Sequence, residues 1–242
     1  MPESELWITS LFNDYLPAIG NALLGIVGRP SQHRPWADFV VMQILVVALL
    51  MLVFALLRPR LSPDRPGKLQ QTFELIYEFV LGQAEDQMGH TAHRYVAFFG
   101  VIFLFILTSN LIGLFPCFES PTMSASVTAG CAMATFAYYN LKGLQVNGIK
   151  YLGHFCGPIW WLAPLMLPIE VVSHLARLLS LTVRLYANMF AGERVTLVFL
   201  GLTKFIAPVV FMGLHVFVGL LQAYIFMLLA MVYVGGAVAH EH

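Results

Sequence analysis

Residues 180–193 read Ser180-Leu181-Thr182-Val183-Arg184-Leu185-Tyr186-Ala187-Asn188-Met189-Phe190-Ala191-Gly192-Glu193, which sets an arginine in the middle of one of the most apolar stretches of the chain. A guanidinium is protonated at any physiological pH. Holding one at bilayer depth costs from about 2.5 to 17 kcal/mol, depending on the reference state. Such a residue is a functional candidate by default, and the lipid-embedded helix it implies governs the reading of everything around it.

The composition agrees. Of 242 residues 59% are hydrophobic and 11% charged, with a mean hydropathy of +0.77, whereas a soluble domain carries roughly 25% charged residues. The chain is expected to be an all-α integral membrane protein of about five to six helices, forming one membrane domain over 1–242. Thirteen basic residues balance thirteen acidic ones, which argues against a nucleic-acid partner and leaves the lipid bilayer as the relevant solvent. Cys117, Cys131 and Cys156 have neither metal-ligand nor redox spacing and read as small buried hydrophobes, so no disulfide, metal or cofactor is expected. Met1-Pro2-Glu3-Ser4-Glu5 lacks a basic n-region, so this segment is expected to be retained.

Outward from residues 180–193, the spans follow from charge-free runs. Phe39 to Leu57 is long enough to cross a core of about 30 Å and stops at Arg58-Pro59-Arg60. The loop to Lys68 holds four basic residues against Asp64, while Glu3, Glu5 and Asp14 precede the span. The positive-inside rule therefore puts the N-terminus outside and this loop in the cytoplasm. From Lys68 to His90, Phe73, Ile76, Tyr77, Val80 and Leu81 recur at helical spacing among acids. This segment reads either as a surface helix entering the membrane or as a solvated arm. Tyr95 to Phe118 returns outward, Glu119-Ser120-Pro121-Thr122 forms a loop, and Ala125 to Leu141 crosses back to Lys142 and Lys150. Ile159 to Glu193 and Val195 to Ala239 each exceed a perpendicular span, predicting two strongly tilted or near-horizontal helices joined near Gly192-Glu193-Arg194. The domain thus divides into an outer-side segment (1–37), transmembrane helices with a cytoplasmic loop and surface helix (38–150), and a long tilted hairpin carrying an ion path (151–242), with the C-terminus cytoplasmic.

At 100° per residue, Glu170, Ser173, His174, Arg177, Arg184 and Asn188 fall within about a third of the circumference. Glu170 and Arg184 lie 14 positions apart, about 21 Å, too far for an ion pair but suited to two depths of one path. His215 and Gln222 share a face of the last helix, and Gly213 and Gly219 would let a neighbour approach closely. Bland alternatives stand beside these. His215 reads equally as a packing residue, Glu170 as a cap beside a kink at Pro168, and His174 with Arg177 as groups snorkelling to headgroups.

Pro168-Ile169-Glu170, Ser173, the run 180–193, His215 and Leu221-Gln222-Ala223-Tyr224-Ile225-Phe226-Met227 together resemble the a-subunit family of the F-type ATP synthase membrane sector. Asn110-Leu111-Ile112-Gly113-Leu114-Phe115-Pro116 and Pro66-Gly67-Lys68 extend the likeness, although many relatives carry an acid where this chain has Gly113. The resemblance implies a non-catalytic, ion-translocating stator subunit, partnered by the c-subunit ring, the b subunits of the peripheral stalk and the rest of the complex. It implies that Arg184 faces the ring, that Asn188, Glu193, His215 and Gln222 line an outer half-channel, and that Glu170 and Ser173 line a cytoplasmic one. His174 joins the latter by proximity. The implied location is a bacterial inner (plasma) membrane, a mitochondrial one being the alternative. Two other classes compete on the residues: a secondary transporter using Arg184 to bind an anionic substrate, and a haem carrier pairing His174 with His215.

Overall fold

The computed structural model describes residues 6–26, 30, 32–62, 66–115, 118–148, 163–202 and 206–238. The regular structure among these residues is all helical, with no strand among them, as a chain that must satisfy its backbone inside lipid requires. We number the α-helices α1 (Trp7–Tyr15), α2 (Pro17–Ile26), α3 (Asp38–Leu57), α4 (Lys68–Met88), α5 (Val96–Ile112), α6 (Ala125–Asn147), α7 (Ala163–Leu202) and α8 (Ile206–Val238). The expected start of the long hairpin at Ile159, together with Lys150, Cys117 and Cys156, lies outside the described residues.

Helices α5 to α8 form the bundle core, where Phe99, Ile106, Tyr139, Leu185, Met189, Phe226 and Met231 are buried. Helix α3 flanks it through Met42 and Val46, packed with Ile112. The outward face of α3 shows Met51, Leu52 and Leu56 to its surroundings, which suits a lipid solvent. Among the described residues, three helices are long and apolar enough to cross a membrane, over Asp38–Leu57, Pro164–Phe199 and Val209–Val238, and Val96–Ile112 is a shorter apolar helix.

Sequence boundaries hold best where a charge or a glycine ends a run. Helices α4 and α6 both stop at glycines with positive φ, Gly89 (60°) and Gly148 (57°), whose amides donate back to Glu85 and Leu144. Two findings correct the sequence reading. The apolar run Tyr95 to Phe118 is helical only to Ile112, because Gly113 opens a tight loop whose Ser120 backs onto it, 2.8 Å from where a Cβ would stand. The turn expected at Gly192-Glu193-Arg194 is absent: α7 continues to Leu202. One glycine costs a helix about 1 kcal/mol, too little to break it, and Gly192 serves packing instead.

The N-terminal segment adds two short helices beyond the expected spans. Asn13 clamps Trp36 with a donated bond to its carbonyl (3.2 Å) and an accepted one from its amide (3.0 Å), tying the hairpin to the start of α3. At the same end of the bundle, Asn110 is 1% exposed. Its Nδ2 donates to the Gly219 carbonyl (2.9 Å) and its Oδ1 accepts from Thr122 (2.8 Å). This joins α5, the loop and α8, and Gly219 permits the close approach anticipated for it while Gly213 faces open space. Asn110→Ala removes two buried hydrogen bonds between elements, one to the Gly219 carbonyl and one from the Thr122 hydroxyl, so we expect a loss of about 1 to 2 kcal/mol. An unchanged unfolding midpoint of the detergent-solubilised protein would contradict that.

The opposite end carries Arg58, Lys142 and the bond from Asn147 Nδ2 to the Ala237 carbonyl (3.0 Å). Helix α7 begins at this Arg58 end and α8 returns to it.

Candidate functional site

Helix α7 carries most of the candidate residues, and its pitch decides how they are presented. Leu181, Leu185 and Met189 recur at i, i+4 and i+8 and are buried against the bundle. Leu179 and Val183 point away, 62% and 53% exposed. Arg184 is half-buried, at the seam between these two faces. Among the described residues it has no hydrogen bond and no acidic partner. A buried-edge cation of this kind is held at a cost that its own chain does not offset.

Two polar clusters flank it at opposite ends of the helix. Toward the Asp38 end, Asn188 Nδ2 donates to Gln222 Oε1 (2.7 Å), linking α7 to α8 one turn beyond Arg184. Gln222 is 1% exposed and its Nε2 has no partner among the described residues, a donor left for water or another polar group. His215 is buried with its ring over Gly192: a Cβ built on Gly192 would stand 2.6 Å from Nδ1. Half-buried Glu193 is the next residue, and no hydrogen bond between Glu193 and His215 is found among the described residues. Arg194 stacks on Phe190, its Cζ 5.0 Å from the ring centre.

Toward the Arg58 end, Glu170 Oε1 lies 3.3 Å from His174 Nε2, and His174 Nδ1 lies 2.6 Å from the Tyr139 hydroxyl on α6. Arg177 sits over the Tyr233 ring at 5.5 Å. His174 and Arg177 therefore turn into the bundle, which disposes of the snorkelling alternative. Ser173 is half-buried and unbonded among the described residues. The two histidines are not partners: His174 and the residue that His215 covers are 18 positions apart on α7, about 27 Å, so the paired-histidine haem alternative fails on geometry. Sequence reasoning passed over Tyr139, whose signal was a tyrosine hydroxyl, one of the adjacent pair Tyr138-Tyr139, in a largely apolar helix, a group that needs a partner when buried.

Glu170 and Glu193 are 23 positions apart on one helix, about 34 Å, a distance close to the thickness of a bilayer core. Between them the bundle face is Leu178, Leu181, Leu185 and Met189, with Arg184 at its edge. The arrangement is two polar clusters, one at each end, with an apolar plug and a fixed positive charge between.

Comparison with known proteins matches residues 40–235 to the family described as "ATP synthase A chain". ATP synthase subunit a of Solibacter usitatus is 66% identical over 233 residues, covering 96% of this chain and all of that one. The subunit a of Koribacter versatilis is 48% identical over 241 residues (98% of each chain), and that of Geotalea daltonii 40% over 206 residues (85% and 90%).

Proposed function

Because the chain belongs to the ATP synthase A chain family, a membrane-sector subunit concerned with proton transport and ATP synthesis, we propose that it is the stator whose two offset half-channels load and unload protons on a rotating ring of c subunits. In this reading Glu193, His215, Asn188 and Gln222 form the outer half-channel, and Glu170, Ser173 and His174 the cytoplasmic one. The observation that carries it is Arg184: a permanent cation without a counter-charge among the described residues, at the edge of an outward apolar face and between two polar clusters.

The chemistry follows from desolvation. A proton admitted past Glu193 and His215 neutralises a ring carboxylate, and the neutral acid turns into lipid because its Born penalty is gone. After most of a turn the acid reaches the cytoplasmic half-channel, where the nearby guanidinium favours its ionised form and the proton leaves toward Glu170. The same fixed charge repels a proton that would cross between the half-channels without turning the ring. Each proton releases about 2.3 kcal/mol per 100 mV, so several must pass for each ATP. The subunit itself carries out no bond chemistry. Its setting is a bacterial inner membrane with the Arg58 end in the cytoplasm, and the b subunits of the peripheral stalk hold it against rotation.

Exposed Val183 and Ala187 on α7 give the test. Val183→Cys and Ala187→Cys are each expected to form disulfides with cysteines introduced on the ring's outer helix in intact membranes. Crosslinks confined to other copies of this chain, or none at all from either position, would overturn the assignment.

A further inference from the structure

Tyr139 has no part in the function set out above, although its ring is 2% exposed and its hydroxyl makes a 2.6 Å bond to His174 Nδ1. A contact so short and buried fixes the imidazole. The other ring nitrogen, Nε2, is 3.3 Å from Glu170 Oε1, and the Glu170 side chain is 37% exposed against 10% for that of His174. The three groups therefore run from a buried anchor on α6 to a carboxylate that meets the surroundings at the Arg58 end.

The proton positions follow from valence. An ionised carboxylate only accepts, so Nε2 must carry the hydrogen it donates to Glu170. In a neutral ring Nδ1 is then the acceptor, and the Tyr139 hydroxyl is its donor. We propose that Tyr139 is a positioning residue of the cytoplasmic half-channel: it locks His174 in the tautomer that points Nε2–H at Glu170, and so keeps that carboxylate oriented as the last proton acceptor before water. The proton that Glu170 takes from the ring side is the one it later releases; the His174 and Tyr139 protons stay in place. This rests on the assignment of Glu170 to the cytoplasmic half-channel.

Charged and aromatic groups pack around the triad. On α7, Arg177 is held over Tyr233 of α8, and on α6 Lys142 lies over Tyr138 at 5.7 Å. Tyr233 approaches Tyr139 ring to ring at 6.0 Å, and Phe136 meets the His174 ring edge-on at 6.2 Å, neither supplying a charge. A small space of about 10 Å³ between α6, α7 and α8, room for about one water, is lined by Thr135, Tyr139, Arg177, Leu181 and Tyr233. Its lining residue Leu181 stands three positions, less than one helical turn, before Arg184.

Tyr139→Phe keeps the ring and deletes the bond. In inverted membrane vesicles containing the whole ATP synthase, its ATP-driven proton pumping is expected to fall about 3- to 10-fold. The midpoint of its pH dependence is expected to move by about 0.5 to 1 unit, the equivalent of one hydrogen bond. A purely structural role would lower the amount of assembled complex and leave that midpoint alone, so an unmoved midpoint at normal rate overturns the proposal. Should Tyr139→Phe not assemble, His174→Gln and His174→Leu decide. The amide can accept from Tyr139 and donate to Glu170, so the Gln variant is expected to pump at least about threefold faster than the Leu variant, and equal rates overturn the proposal. Glu170→Gln at the native rate would instead sink the half-channel assignment, whereas a slow Glu170→Gln beside a normal Tyr139→Phe would sink only the positioning role.

Discussion

Membranes carrying Arg184→Ala in place of the native chain are expected to make no ATP from a proton gradient while still holding assembled complex. The two halves of this expectation have separate grounds. Assembly survives because, among the described residues, Arg184 makes no hydrogen bond or ion pair within the chain, so its removal orphans no partner there. Synthesis fails because the ring acid loses the charge that favours its ionised form. At about 4 Å and an effective dielectric constant of 20, that attraction is about 4 kcal/mol, or roughly a thousandfold in the deprotonation equilibrium. The short circuit between the half-channels is opened by the same change. Luminescence-detected ATP synthesis, normalised to complex abundance, checks both. A rate above about a hundredth of the native one, the equivalent of less than 2.8 kcal/mol, would refute the role. Arg184→Lys retains the charge but not the planar fork and is expected to remain severely impaired.

Gly192→Ala is the second large effect. The new methyl carbon would stand 2.6 Å from His215 Nδ1 and 3.2 Å from Cε1, closer than atoms pack, and His215 is itself buried. The helix gains about 1 kcal/mol of propensity, which an overpacking cost of about 1 to 3 kcal/mol meets or exceeds. The imidazole must therefore leave its seat beside Glu193. Misplacement of a working group by about 1 Å can slow a reaction some hundredfold, so we expect proton-driven synthesis to fall about 10- to 100-fold. His215→Ala in the same chain should relieve the clash and restore stability without restoring transport. A Gly192→Ala variant with native synthesis would show that the ring's position is immaterial.

The spans were legible wherever an apolar run ended on a charge. Helix α3 begins one residue before the expected Phe39 and ends with it at Leu57, before Arg58. Hydropathy could not see the ends of α5 or α7, because it does not report backbone conformation. Apolar Leu114 and Phe115 extend a hydrophobic run although the chain has left the helix, and polar Glu193 and Arg194 interrupt one although the helix continues. The candidate residues from Glu170 to Glu193 share one continuous helix, so the 100° period applies along the whole of it. What the period cannot give is contact between helices: Tyr139 and His174 are 35 positions apart, Asn188 and Gln222 34, and Asn110 and Gly219 109. The packing of α6 and α8 against α7, and of α5 against α8, makes those pairs, and no local pattern encodes them.

The continuity of α7 through Gly192 fixes the phase of the device. Glu170, Arg184 and Glu193 ride on one rod, so their separations are whole multiples of a 1.5 Å rise and a 100° rotation. Inserting a single residue between Arg184 and Glu193 swings everything beyond it by nearly a third of a turn, whereas a loop would absorb the addition. Along this segment a side-chain exchange acts at its own position, whereas a change of length displaces every group beyond it.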